Sequence, residues 1–257
     1  MSRCLILIDL QNEFLLSEGN FPIHESSRSF VQNIFPLVRN CRNAGYCVYW
    51  IRSEYSNNNP EDVSVDLDSF LSGTHTGRKR CCEKDSYGAQ FPAEIADLIK
   101  ESSTDVVLTK TWYSAFKETT LLSELKQRGV TDLLVGGLIT NVCIQATVMD
   151  AVAMEFNVNV LEDCLGWRNR ASHDKALGKL RELDVQVISS ASLSEVTSST
   201  LHPPVFTPLL PTLYYVNGSI PSWRVMMALY EKVRLFAPFS VTYGRTIYRV
   251  SNSKPSG

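Results

Sequence analysis

Short apolar runs alternate with longer segments of helical periodicity over the first 190 residues. Residues 4–8 form a continuous apolar run, which is typical of a strand covered on both faces. Residues 25–43 follow with apolar positions at helical spacing, and Gly45 stands where a helix C-cap would be. The pattern predicts strands at 4–8, 46–51, 105–109, 132–138, 158–162 and 185–189, and helices at 25–43, 92–101, 118–128, 142–156 and 172–183.

Six strands separated by helices leave few arrangements open. Right-handed crossovers between successive strands make the sheet parallel and place helices on both of its faces. We therefore predict a doubly wound, three-layer α/β/α fold with a six-stranded parallel sheet. Reactive groups in such sheets gather beyond the carboxyl ends of the strands, where the strand order reverses. That rule directs attention to Asp9, Arg52, Lys110 and the segment 136–143.

The charge distribution separates the end of the chain from the rest. Residues 201–257 contain six Lys/Arg and one acid, a net charge of +5, so residues 1–200 carry −7 to give the overall −2. The same segment has 7 of the 11 prolines and none of the 7 cysteines. We predict one complete domain at 1–195, a linker at 196–212, and a tail at 213–257 that is too short to bury a core alone.

Composition argues against several classes of protein. No apolar run approaches the roughly 18 residues of a membrane span, and Asp9 follows the first apolar run too soon for a signal peptide. No basic stretch interleaved with aromatic residues suggests nucleic-acid binding. The seven cysteines show no metal-type spacing, so we expect reduced thiols and a cytoplasmic protein. Together these observations predict no nucleic-acid or membrane partner. Whether it forms a homo-oligomer stays open.

Asp9 and Lys110 each follow a predicted strand directly. An acid in that position needs a cation, a donor or a function, although capping a nearby loop would also explain it. Lys110 has Trp112, Tyr113 and Phe116 around it, and a surface lysine with its stem on aromatic rings is the simpler interpretation. Neither residue alone establishes a site.

Cys143 lies where a predicted strand runs into a predicted helix. Thr140 or Asn141 could cap that helix and place Cys143 in its first turn, where free N–H groups and the helix dipole favour thiolate over thiol. The alternative is a small core residue on a packed helix. Asp9, Lys110 and Cys143 fall at strand ends of one sheet, and together they supply a base, a cation and a nucleophile for attack on a carbonyl.

Several motifs resemble the isochorismatase-like cysteine hydrolases. They read ILIDLQNEF at 6–14, KTWYSAF at 110–116, and GLITNVC at 137–143 followed by QATVMDA at 145–151, with support from GAQFP at 88–92. The resemblance covers about residues 3–190 in order. The family includes nicotinamidases, N-carbamoylsarcosine amidohydrolases, ureidoacrylate amidohydrolases and isochorismatases.

The resemblance implies a catalytic triad of Asp9, Lys110 and Cys143. It also implies a cis peptide bond between Leu138 and Ile139, which would aim the amide of Ile139, with that of Cys143, at an oxyanion. The implied activity is hydrolysis of a C–N bond in a small amide or ureido substrate through a cysteine thioester, without a cofactor. Cleavage of the vinyl ether of isochorismate is an alternative, and a catalytically silent binding protein on the same fold is another.

Nicotinamidases of this family bind a metal through an Asp-x-His segment after the second strand. Residues 50–55 read WIRSEY and contain no histidine, so we expect no metal. We expect His75 to be solvated and His173 to cap or pack. The remaining pocket-lining candidates are Phe14, Arg52, Tyr113 and Phe116.

The tail carries one weak resemblance of its own. Residues 213–229 are similar to the opening strand and helix of glutathione transferases, and Ser219 or Ser222 would take the place of the hydroxyl that faces the glutathione sulfur. Nothing after residue 229 supplies the rest of such a domain. We therefore predict an incomplete fragment or a disordered tail, and no transferase activity.

Overall fold

The fold is a six-stranded, all-parallel sheet with helices on both faces, which confirms the predicted architecture. The computed structural model describes residues 2–55 and 81–193, together with the backbone of 212–213 and 248–249. The strand order is β3-β2-β1-β4-β5-β6. The strands are β1 (Ser2–Ile8), β2 (Cys47–Ser53), β3 (Val106–Lys110), β4 (Val130–Gly137), β5 (Asn157–Leu165) and β6 (Gln186–Ile188).

The helices that connect these strands cover the sheet in two layers. They are α1 (Asn12–Leu15), α2 (Phe30–Asn43), α3 (Ala93–Lys100), α4 (Leu121–Gln127), α5 (Gln145–Ala153) and α6 (Arg170–Arg181), with short 3₁₀ turns at Glu25–Ser27 and Ser190–Ser192. The longest described helix, α2, has 14 residues. None of the described helices has the length and hydrophobicity that crossing a membrane requires.

Alternation along β1 divides the core between the two layers. Leu5 and Leu7 belong to a cluster with buried residues of α2 and α3, whereas Ile6 and Ile8 belong to a second cluster with buried residues of α4, α5 and α6. Successive side chains of a strand point to opposite faces, so a central strand covered on both sides is apolar throughout. This explains the continuous apolar run at the start of the sequence.

Several predicted helix boundaries differ from the structure. The helix predicted at 25–43 begins at Phe30, after the 3₁₀ turn, and the one predicted at 172–183 begins at Arg170, where the Asn169 side chain accepts from the Ser172 N–H at 2.9 Å. The helix predicted at 142–156 is a π-helical turn at Thr140–Ile144 followed by α5. Periodicity could not show that turn, because the extra residue of a π-turn breaks the helical register.

The contacts between Cα atoms divide the chain into residues 1–199 and 200–257. In the second unit, β7 (Thr212–Leu213) pairs antiparallel with β8 (Tyr248–Arg249). The remaining residues of the predicted transferase-like fragment, including Ser219 and Ser222, lie outside the described residues.

Gly137 allows the ends of β1 and β4 to meet closely. Its φ is 111°, and a Cβ at this position would lie 2.1 Å from the carbonyl oxygen of Ile8. That oxygen also accepts the amide of Leu138 at 2.9 Å. The backbone that leads to Asp9 and the backbone that leads to Cys143 are therefore held against each other without a side chain between them.

Gly137→Ala should destabilise the fold by about 3 kcal/mol or more, because it adds a backbone clash to an unfavourable φ. Gly129→Ala is the matched control, since Gly129 also has a positive φ (64°) but nothing lies within 4 Å of its Cβ position. It should cost only about 1–2 kcal/mol. Guanidinium denaturation measures both, and equal losses would contradict the close approach.

Candidate active site

The topology brings three strand ends to one crevice. In the sheet, β1 lies between β2 and β4, so the connections from β1 and from β3 leave in opposite directions across the sheet. Asp9 follows β1, Lys110 ends β3, and Cys143 lies in the π-turn after β4. The crevice at such a reversal of strand order is where open parallel sheets place their ligands.

Lys110 is the centre of a buried polar cluster at this crevice. Its Nζ lies 3.0 Å from Asp9 Oδ2, 3.4 Å from Cys143 Sγ and 2.6 Å from the hydroxyl oxygen of Ser53. It also donates to the carbonyl of Trp112 at 3.1 Å. The Lys110 side chain is 0% exposed and that of Asp9 1%. The structure thus brings together the three residues that the sequence singled out, and it adds Ser53.

The backbone of Asp9 adopts a left-handed conformation to reach this position. Its φ is 57°, which is uncommon for a residue other than glycine, and its N–H donates to the carbonyl of Ile51 at 2.8 Å. Non-glycine residues hold such angles where the surrounding structure enforces them, and they concentrate at functional sites. Here the turn aims the carboxylate across the end of the sheet toward Lys110.

Burial and charge determine the protonation of the cluster. Burial lowers the pKa of Lys110, but the negative charge of Asp9 more than offsets it, with Cys143 and Tyr55 acting in the same direction, so the pKa of Lys110 is raised and the ammonium persists. Burial and the negative charge of Asp9 raise the pKa of the Cys143 thiol, and Lys110 opposes them only in part. The expectation that the helix terminus favours the thiolate is wrong, because these effects outweigh it and Cys143 lies in a π-turn.

The loop before Cys143 is fixed by a chain of hydrogen bonds. The peptide bond between Leu138 and Ile139 is cis, where the resemblance implied it. The next residue, Thr140, donates its hydroxyl hydrogen to the carbonyl of Gly166 at 3.0 Å and lies 2.9 Å from Nδ1 of His173. Within the described residues, the amide N–H of Ile139 has no hydrogen-bond acceptor. That donor is available to a bound oxygen atom.

A small cavity opens beside the cluster. Its volume is about 20 Å³, which is room for one or two water molecules. Asp9, Ser53 and Cys143 form its polar floor, and four aromatic side chains line it: Phe14, Phe21, Tyr55 and Tyr113. Arg168 is exposed and lines the outer side, with its guanidinium carbon 5.6 Å from the centre of the Phe21 ring. A molecule larger than these waters can enter only if the lining side chains move apart.

Comparison with known proteins identifies the family. The isochorismatase domain model matches residues 3–192. A probable inactive nicotinamidase of Arabidopsis thaliana is 29% identical over 196 residues, covering 76% of this chain and 95% of its own, and a ureidoacrylate amidohydrolase of Cronobacter sakazakii is 28% identical, covering 62% and 72%. An isochorismatase family protein of Desulfovibrio vulgaris superposes with a TM-score of 0.66 at 26% identity, covering 77% of this chain and 99% of its own.

The chain belongs to the isochorismatase family. The match ends at residue 192, and the described part of the first unit ends at residue 193. The motifs that carried the resemblance therefore lie inside the matched domain.

Within this family fold, two of the four predicted pocket residues do not line the cavity. Phe14 and Tyr113 do, but Arg52 donates to Thr109 Oγ1 at 3.0 Å and pairs with Glu54 at 3.0 Å, and Phe116 lies elsewhere. In β2 the neighbouring residue, Ser53, faces the cavity, so Arg52 faces the opposite side of the sheet.

Phe116 is part of the core layer formed by α4, α5 and α6. Its ring stacks on Phe156 with 5.9 Å between centroids, and the residue is buried. Its proximity to Lys110 in sequence suggested a pocket residue, but the turn after β3 places Phe116 on the face of the sheet that α4, α5 and α6 cover.

Further residues line the cavity that were not predicted from the sequence, among them Ser53, Tyr55, Phe21 and Arg168. Ser53 and Tyr55 follow the apolar run of β2 at alternate positions, so the rule that pointed to Arg52 would also have pointed to them. Arg168 comes shortly after β5, another carboxyl end of the sheet. Nothing local marks Phe21, which reaches the cavity through the loop after α1.

The described histidines have structural partners. His24 caps the first 3₁₀ turn by accepting from the Ser26 N–H at 3.3 Å, and its ring stacks on Trp167. Burial lowers the pKa of His173, which bonds Thr140. His75 lies outside the described residues. Among the described residues, no group of three or more His, Cys, Asp or Glu side chains suits a metal ion.

Asp9→Asn should shift the alkylation of Cys143 by iodoacetamide toward lower pH. Removing a negative charge lowers the pKa of the thiol, and Lys110 then favours the thiolate. We expect the midpoint of the rate–pH curve to fall by about one unit or more. Asp132→Asn, which removes another buried carboxylate, should leave it unchanged.

Alkylation must be followed on the peptide that contains Cys143. The hydrogen bond with Cys4 lowers the pKa of the half-buried Cys47 to about 7, with Arg128 contributing, so we expect that thiol to be alkylated as well. A midpoint for Cys143 that stays fixed or rises in Asp9→Asn would contradict the role given to the charge of Asp9.

Proposed function

We propose that this protein hydrolyses a C–N bond of a small amide or ureido substrate through a thioester on Cys143. The observation that carries the proposal is the buried cluster in which Lys110 lies within 3.4 Å of both the Cys143 sulfur and the Asp9 carboxylate, at the floor of a cavity. A nucleophile, a base and a fixed cation at one carbonyl-sized space are the parts that acyl transfer needs.

In the first step the thiol proton passes to Asp9 as the sulfur attacks the substrate carbonyl. The raised pKa of Cys143 means that the resting thiol is protonated, so proton removal and attack belong to one stage of the reaction. The ammonium of Lys110 stabilises the sulfur's developing charge. The amides of Ile139 and Cys143 would donate to the oxyanion of the tetrahedral intermediate.

In the second step Asp9 returns the proton to the departing nitrogen, and ammonia or an amine leaves with the thioester still on Cys143. Water then attacks the thioester carbonyl and gives its proton to Asp9. The carboxylic acid product departs, and the sulfur takes up the proton again. Asp9 serves alternately as base and acid, and the cation of Lys110 keeps the site's charge balanced.

The outer side of the cavity suggests the rest of the substrate. Arg168 is exposed and has no described carboxylate partner, and aromatic rings lie beneath it. A guanidinium favours a carboxylate, which it binds through two parallel hydrogen bonds. The similarity to a ureidoacrylate amidohydrolase supports the same class. We therefore favour a short ureido or amide acid.

One relative supports a second candidate, a catalytically silent protein that binds small molecules on this fold. The Arabidopsis relative is described as a probable inactive nicotinamidase. The cluster of Asp9, Lys110 and Cys143 is complete in this chain, and this favours the hydrolase. Among the described residues, none favours cleavage of a vinyl ether over hydrolysis of an amide.

Cys143→Ser should abolish ammonia release from whichever substrate the wild-type protein accepts, in a screen of ureido acids, N-carbamoyl amino acids and simple amides. A hydroxyl is much harder to ionise than a thiol, so we expect a loss of about 1,000-fold or more. Cys47→Ser, which changes a half-buried thiol remote from the cavity, is the control. Equal turnover by Cys143→Ser would contradict the proposal.

Arg168→Met should raise the KM for substrates with a carboxylate by about tenfold or more, since it removes a charged hydrogen bond. The kcat should change little, and neutral amides should be unaffected. Arg170→Met removes a nearby exposed guanidinium that pairs with Asp174 and does not line the cavity. If both variants changed KM alike, Arg168 would have no specific contact with the substrate.

A further inference from the structure

Ser53 connects the two charged residues of the cluster. Its hydroxyl donates to Asp9 Oδ1 at 2.9 Å and accepts from Lys110 Nζ at 2.6 Å. The residue is 1% exposed and ends β2. One hydroxyl dipole thus points its hydrogen at the anion and its oxygen at the cation, which is the favourable orientation for both.

The hydrogen bonds of Ser53 leave little capacity for a substrate. A serine hydroxyl has one hydrogen and two lone pairs. The hydrogen goes to Asp9, one lone pair to Lys110, and the hydroxyl of Tyr55 makes a longer contact of 3.4 Å with the same oxygen. Although Ser53 borders the cavity, its polar contacts are directed at the cluster.

The two carboxylate oxygens of Asp9 have different partners, because only one of them accepts a hydrogen bond from Ser53. Oδ1 accepts from Ser53, whereas Oδ2 lies 3.0 Å from the Lys110 ammonium but has no directed hydrogen bond among the described residues. A carboxylate that accepts one fixed hydrogen bond cannot rotate freely. The oxygen with a free lone pair is therefore held facing Lys110 and the side of Cys143.

The backbone of Ser53 is itself held by Gln11. The Gln11 amide oxygen accepts from the Ser53 N–H at 2.8 Å, and its amide nitrogen donates to the carbonyls of Ser53 and Ala89, each at 2.8 Å. Gln11 is 0% exposed. Its side chain therefore fastens the end of β2 to the turn that carries Asp9, and the position of the Ser53 hydroxyl is fixed relative to that carboxylate.

We propose that Ser53 is a positioning residue for proton transfer: it holds Asp9 so that Oδ2 exchanges the proton with Cys143 and with the hydrolytic water. The proposal rests on the proposed function and adds a residue to it. Ser53 acts through Asp9 and touches no reacting atom. Its loss leaves the nucleophile in place but lets the base turn away.

p-Nitrophenyl acetate separates these two parts. The Cys143 sulfur forms a bond to the acetyl carbonyl carbon, the bond to the aryl oxygen breaks, and p-nitrophenolate leaves without needing a proton while the thiol proton is lost to solvent through Asp9. Water then attacks the thioester and gives a proton to Asp9, acetate leaves, and the sulfur is reprotonated. The first stage needs Asp9 only to take up the thiol proton, whereas the second needs it as a base toward water. The mass of the peptide that contains Cys143 measures the lifetime of the acetyl group there, apart from any acetylated Cys47.

Ser53→Ala should form the acetyl-enzyme on Cys143 and hydrolyse it about tenfold more slowly than wild type, because a general base contributes roughly 100- to 10,000-fold and a misaligned one loses part of that. Ser53→Thr keeps the hydroxyl and should restore hydrolysis to within about threefold of wild type. Tyr49→Phe removes a buried hydroxyl from the same strand, where it donates to Glu124 at 2.9 Å, and should change nothing.

A double variant distinguishes positioning from a general structural effect. If Ser53 acts through Asp9, then Asp9→Asn/Ser53→Ala should hydrolyse its acetyl-enzyme no more slowly than Asp9→Asn alone, within about twofold. Additive losses, or hydrolysis by Ser53→Ala at the wild-type rate, would overturn the proposal while leaving the proposed function intact. A wild-type protein that never acetylates on Cys143 would refute the nucleophile, and the role of Ser53 with it.

Discussion

The ion pair between Lys110 and Asp9 is the interaction on which the site depends. Both side chains are removed from water, and the cost of that desolvation is recovered only when the two charges are paired and supported by further polar contacts. The fold supplies Lys110 with contacts from four places: the left-handed turn after β1, the end of β2, the carbonyl of Trp112 and the thiol after β4. Losing either charged residue would leave the other buried without a counter-charge, so the two are held as a pair.

Much of the fold could be predicted because its signals are local. The continuous apolar run of β1, and the alternation of short apolar runs with segments of helical periodicity, indicate a parallel sheet, and that sheet places Asp9, Lys110 and Cys143 at one edge. The sequence motifs then indicated the family. What periodicity could not give was the π-turn at Thr140–Ile144 or the side of the sheet on which Phe116 packs, since both depend on contacts between segments far apart in sequence.

The protonation state of Cys143 also could not be predicted from the sequence. The position of Cys143 near a helix start indicated a thiolate, yet burial and the negative charge of Asp9 raise the pKa of its thiol. The alternation of β2 decided between Arg52 and Ser53, and one residue's difference in register exchanges a cavity residue for a surface residue. Arg168 has no signal beyond its place after β5, because an isolated arginine in a loop is usually a solvated one.

The buried cluster of Asp9, Lys110 and Cys143 carries no net charge. With a protonated thiol, a carboxylate and an ammonium, its formal charges sum to zero, and moving the proton from sulfur to carboxylate leaves that sum unchanged. The low-polarity interior therefore does not have to accommodate a net charge, and in the proposed reaction few solvent dipoles would need to reorient as the proton moves. Proton transfer within such a cluster would need little rearrangement of bulk water, which is consistent with a resting cavity that has room for only one or two water molecules.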